Sequence, residues 1–185
     1  MLRGVRSTGD ENLPLLAQAG SNDPRTYVYQ QHVGNAYQDK RVSGLLEFDV
    51  LNGYWIQTDT SARGRIVIAL NNLPSRCKVT EVTATIDGNG GGASHSDLPS
   101  LLPLVQLVVH DGAGTATIVG SDTDDSADLS EYEVPHPLVI PANQGVDGSK
   151  LLYLNFEGES GSNSLDDALA LLGVKVDVEV DRIGP

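Results

Sequence analysis

The sequence predicts an all-β fold, an antiparallel β-sandwich of jelly-roll type with an extended N-terminal arm. From Ser43 onward, apolar residues recur with period 2 in runs of strand length. Between the runs stand Asn52-Gly53, Asp87-Gly88 and Asp111-Gly112, dipeptides that supply the positive φ angles of tight hairpins. Twenty glycines and nine prolines describe a chain of many turns, and strands do not alternate with long helices.

Residues 1–41 come first and read as an arm, with 42–185 as the sandwich domain. The arm carries four acids against five bases, a net +1, so the rest of the chain holds -14 of the total of -13. It lacks sustained apolar periodicity, which leaves a disordered leader or an arm that orders on a neighbour. The aromatics favour the second reading. Nine residues are Phe, Trp or Tyr, and six of them (Tyr27, Tyr29, Tyr37, Phe48, Tyr54, Trp55) fall between positions 27 and 55, whereas disordered segments are poor in rings. Something should cover them, either the domain's own sheet or another subunit.

Strands are predicted near 44–50, 54–57, 64–70, 78–87, 104–110, 115–119, 138–140, 151–157 and 171–181. The last is the plainest: Val174, Val176, Val178 and Val180 alternate with Lys175, Asp177, Glu179 and Asp181, the pattern of a strand with one wet face. Gly88 to Gly92 reads as a flexible hairpin loop, since it lacks the Lys-Ser/Thr of a phosphate-binding loop. Ser164 to Asp167 fits a helix N-terminus closing at Gly173, or the lead-in to the final strand.

The charge balance argues against nucleic acid and anionic membranes as partners, because binding by counterion release needs a basic surface. Cys77 is the only cysteine, so neither an internal disulfide nor a Cys-x-x-Cys metal site can form. No apolar run approaches the roughly 20 residues that span a bilayer, and the start has no signal-peptide pattern. His32, His95, His110 and His136 are too scattered for ligand spacing and read as surface or turn histidines. His110-Asp111 lacks the context of a catalytic triad, so no enzyme and no cofactor are expected.

Two stretches remain as sites. Residues 121–133 hold six carboxylates, of which Asp122, Asp124, Asp125 and Asp128 are weak calcium candidates; the spacing misses the EF-hand pattern, and the plainer reading is a solvated loop tip. Tyr54 and Trp55 are adjacent rings suited to stacking on a sugar, although a lone tryptophan reads first as a core or interface anchor.

The run LPSLLPLVQLVVHDGAGTATIVGSDTDDSADLSEYE, followed by LLYLNFEGESGSNSLDDALALLGVKVDVEV, resembles β-sandwich structural proteins of tailed bacteriophages, of head-decoration or tail-associated type. The likeness rests on Pro103 to Val108, Gly114 to Thr117 and Tyr153 to Asn163, and covers the C-terminal half. It implies a non-enzymatic component of the virion exterior, soluble in the host cytoplasm before assembly, and carries over no catalytic residue. The partners would be the major capsid protein or other virion subunits, with self-association, most simply a trimer. In that reading Tyr27, Val28 and Tyr29 add as a strand to a neighbour's sheet, Tyr37 anchors the contact, and Arg3, Arg6 and Arg25 pair with acidic patches. The alternative is a tail-associated adhesin or carbohydrate-binding module with Tyr54 and Trp55 as its platform.

Overall fold

The computed structural model describes residues 25–42, 44–57, 61–90, 95–146, 149–161 and 169–180. They form eleven strands: β1 (Arg25–Gln31), β2 (Tyr37–Gln38), β3 (Leu46–Asp49), β4 (Tyr54–Gln57), β5 (Arg65–Ala69), β6 (Cys77–Asp87), β7 (Leu104–His110), β8 (Ala116–Thr123), β9 (His136–Val146), β10 (Leu151–Glu157) and β11 (Ala170–Val180). A 3-10 turn at Val33–Asn35 and a one-turn helix α1 (Leu129–Tyr132) complete the elements. One sheet runs β3-β4-β11-β6-β9 with β1 added beside β11, and the other runs β2-β5-β10-β7-β8. Strand pairing within both sheets is antiparallel, so the predicted sandwich is what the chain forms.

All nine predicted strands are present, seven of them within one or two residues of their expected limits, because alternation specifies both a strand and its buried face; the strands expected at 138–140 and 115–119 run on, to His136–Val146 and Ala116–Thr123. Val174, Val176 and Val178 point into the core and meet Ile66, Ile68, Leu107, Leu154 and Phe156 from the facing sheet. In β6 the apolar parity slips, from Cys77 and Val79 to Val82, Ala84 and Ile86. A bulge at Thr80 absorbs the slip and keeps both halves facing inward. Gly53, at φ +78°, closes the β3–β4 hairpin, its N–H donating to the Asp49 carbonyl at 2.7 Å. Gly120 serves close approach instead: a Cβ there would stand 2.4 Å from Cγ2 of Ile140, so β8 can lie against β9 only without a side chain.

The arm reading is corrected over residues 25–41. β1 pairs with β11 of its own chain along seven registered positions, and Tyr27 and Tyr29 pack against the core. β2 pairs with β5, and the carbonyl of buried Val33 accepts the indole N–H of Trp55 at 2.7 Å. The boundary expected at 41/42 therefore falls inside the folded body. The reason is geometric: β4 covers β11 only at Ala170 and Leu171, leaving the rest of that flank open for a strand. The helix weighed at Ser164 to Asp167, and Arg3 and Arg6, lie outside the described residues.

Candidate functional site

Of the expected site residues, Arg25 and Val28 are exposed, Val28 at 59%, while Tyr27 and Tyr29 are half-buried on their own sheet. Tyr54 and Trp55 do not make an open platform. Successive residues of a strand point to opposite faces, so Trp55 turns inward, 8% exposed, with its ring 5.6 Å from that of Phe48. Tyr54 stays half-buried and its hydroxyl donates to the carbonyl of Gly90 at 3.1 Å.

The acidic stretch is not a loose loop tip. Asp122 accepts the Val139 N–H at 2.7 Å; Asp124 is buried, accepting from Ser126 and facing His136 Nε2 at 3.1 Å. Asp128 caps α1 by accepting the N–H groups of Ser130 and Glu131, and Glu131 reaches back to the Ala127 N–H, a variant of the capping box. Asp125 is exposed. The carboxylates thus serve separate partners, and among the described residues no three His, Cys, Asp or Glu side chains converge as a metal would require.

A buried polar cluster closes one end of the sandwich, and it corrects the surface reading of His95. The His95 imidazole is fully buried, with Nε2 at 3.1 Å from Oε1 of fully buried Glu159. The Tyr132 hydroxyl donates to the other oxygen of Glu159, and the Tyr132 ring meets His95 edge-on at 5.2 Å. Gln57 binds the Glu159 backbone twice, Nε2 donating to its carbonyl and Oε1 accepting its N–H, each at 2.8 Å. Burial by itself would lower the His95 pKa, but Glu159, with Glu133 beyond, raises it above the ordinary histidine value. Burial, then the Glu159 charge, push the Tyr132 hydroxyl far up, so it stays a donor. These groups hold each other, an arrangement that braces the fold. Nothing local marked them, because Glu159 lies 64 residues from His95 and 102 from Gln57.

The outer face of the five-stranded sheet carries a row of polar and aromatic side chains. Registers place Tyr37 beside Val67, Val67 beside Asn155, Asn155 beside Gln106 and Gln106 beside Ser121, one row across all five strands. Tyr37 is 74% exposed. Among the described residues, no hydrogen bond engages the side chains of Tyr37, Asn155, Gln106 or Ser121. Four strand spacings of about 4.8 Å make the row about 19 Å long. The next row sets Ala69, Tyr153, Val108 and Ile118 alongside it, and at the Tyr153 end a cleft of about 110 Å³ is lined by Ala69, Leu73, Val146, Lys150 and Tyr153. On the opposite flank the charges are matched: Arg65 Nε stands 2.9 Å from Glu157, and Asp39 lies 3.4 Å from Arg65. Hydrogen bonding and charge from Arg41 hold the Asp39 carboxyl well below the usual range. The face therefore offers amides, a hydroxyl and an open ring, with no unmatched charge in its central row.

No family model and no curated protein matches the chain. Among solved structures, it is similar to the low-affinity xylan-binding module CBM86 from the gut symbiont Roseburia intestinalis, at 13% identity and TM-score 0.44 over 84% of this chain and 95% of that one. The module CsCBM6-3 from Clostridium stercorarium, solved with cellobiose, matches at 14% identity and TM-score 0.39 over 83% and 91% of the two chains. The enzymatically active domain of tailspike protein 4 from bacteriophage CBA120 matches at 12% identity and TM-score 0.38, over 81% of this chain and 19% of that one.

Proposed function

We propose that the protein is a non-enzymatic binding module whose five-stranded sheet takes a neutral, polyhydroxylated polymer, a glycan chain, along its outer face. The carrying observation is the registered row Tyr37, Val67, Asn155, Gln106 and Ser121. Its hydrogen-bonding groups are unspent, and amides that both donate and accept suit sugar hydroxyls. Exposed Tyr37 adds a flat apolar surface of the kind that covers a pyranose ring. The absence of unmatched charge along the row favours a neutral chain over a uronate or phosphate polymer. In this reading the platform is Tyr37 with Tyr153, in place of Tyr54 and Trp55.

Affinity electrophoresis through gels containing neutral polysaccharides, with an anionic one for comparison, tests this directly. Retardation by a neutral polymer, abolished in Tyr37→Ala/Asn155→Ala while the melting temperature holds, is the expected result. No retardation by any polymer, or retardation that the double variant leaves intact, would overturn it.

A second reading, a virion-surface component gripping its neighbours, draws on the β3–β4 tip. There Val50 and Leu51 are 81% and 96% exposed on a turn held by Asp49, which accepts the N–H groups of Leu51 and Asn52. Two open aliphatic side chains on a held turn are what a neighbouring subunit's pocket accepts. Leu51→Asp should then abolish incorporation into particles without lowering the melting temperature; normal incorporation would refute this reading.

A further inference from the structure

Sheet edges invite pairing with other chains, and natural sandwiches blunt them with short strands, charge, proline, bulges or a cover. Among the described residues the two sheets have five edges, and four of them are blunted in this way. β3 has four residues, two of them Glu47 and Asp49; β2 has two residues. β9 contains Pro137 and Pro141 and lies against β8, which carries Asp122 and a bulge in its pairing with β7. Among the described residues, β1 has only one such device, the charge of Arg25 at its first position. It runs seven residues, RTYVYQQ, without acid, proline, glycine or register shift, and among the described residues nothing pairs along its outer side.

We infer that β1 pairs with β1 of a second copy, antiparallel about a two-fold axis at Val28. The two residues that flank it are both tyrosines, Tyr27 and Tyr29. The axis sets Val28 against Val28 of the partner subunit on the solvent face, and Tyr27 against Tyr29 of the partner subunit on the core face, where both rings are already half-buried. Aromatic and β-branched pairs directly opposed across antiparallel strands are favourable ones. Charge selects the same place: in a chain of net -13, this edge carries only Arg25, and the axis puts the two arginines at opposite ends of the contact. A strand about 24 Å long on a sandwich about 10 Å thick contributes about 240 Å² per copy, well under the ~800 Å² of a standard interface. The dimer is accordingly weak and reversible, and gains strength as salt screens the two acidic bodies.

Sedimentation velocity of the full chain at rising concentration, at low and moderate salt, reads the equilibrium, with Val28→Glu and Val28→Cys as variants. A concentration-dependent shift toward dimer, larger at moderate salt and weakened at least about tenfold by Val28→Glu, is expected, because that change sets two like charges face to face. Under oxidised glutathione, Val28→Cys should form a covalent dimer much faster than Ile118→Cys, an exposed position on β8; native Cys77 is buried. A chain that stays monomeric throughout, or a Val28→Cys thiol that crosslinks no faster than Ile118→Cys, overturns the self-pairing. Neither readout involves a glycan, so this inference and the binding face stand or fall separately.

Discussion

Replacing Tyr132 by phenylalanine removes one oxygen from the closed end of the sandwich and leaves the ring in place. The ring is fully buried and would keep its edge-on packing against His95, so no cavity term enters. What is lost is the hydroxyl that donates to Glu159, a carboxylate with no exposed surface. A hydrogen bond to a charged group contributes about 1.5–3 kcal/mol net, and a buried acceptor left short of a donor cannot turn to water. The expected loss is about 2 kcal/mol, or a fall in Tm of about 4–8 °C for a chain of this size. Urea unfolding at pH 7 measures it, as a lower midpoint with an unchanged m value. A loss below about 0.5 kcal/mol would refute the reasoning, because it would mean that Glu159 is not held by Tyr132 in solution.

His95 supplies a pH signature of the same cluster. Its folded pKa is raised above the ordinary histidine value of about 6.5, so the folded state binds the extra proton. The stability it contributes is full below about pH 6.5 and is lost as pH rises through the folded value. Unfolding free energies from pH 6 to 9 should fall over that window, and the fall should be absent in His95→Gln. Between β8 and β9, Gly120→Val should destabilise by about 1–3 kcal/mol, since its Cβ meets buried Ile140. A thermal melt unchanged by that substitution would show that β8 does not rest on β9.

The sequence by itself determined the class of fold, nine strands and the buried face of the last of them, because alternation and turn chemistry act over a few residues. Val174 to Val180 could hardly form anything else, and Asn52-Gly53 had to be a turn. Trp55 was legible as an anchor by its rarity. Only the tertiary structure decided where distant strands meet. Whether Tyr27 to Tyr29 serve their own sheet or a foreign one depends on the open flank of β11, and no local pattern records it. His95, Tyr132, Gln57 and Glu159 become a cluster, and Tyr37, Asn155 and Gln106 a row, through registers between strands far apart in the chain. The acidic stretch shows the same divide: its composition was plain, but a carboxylate's role follows from the N–H or imidazole placed opposite it, which folding alone supplies.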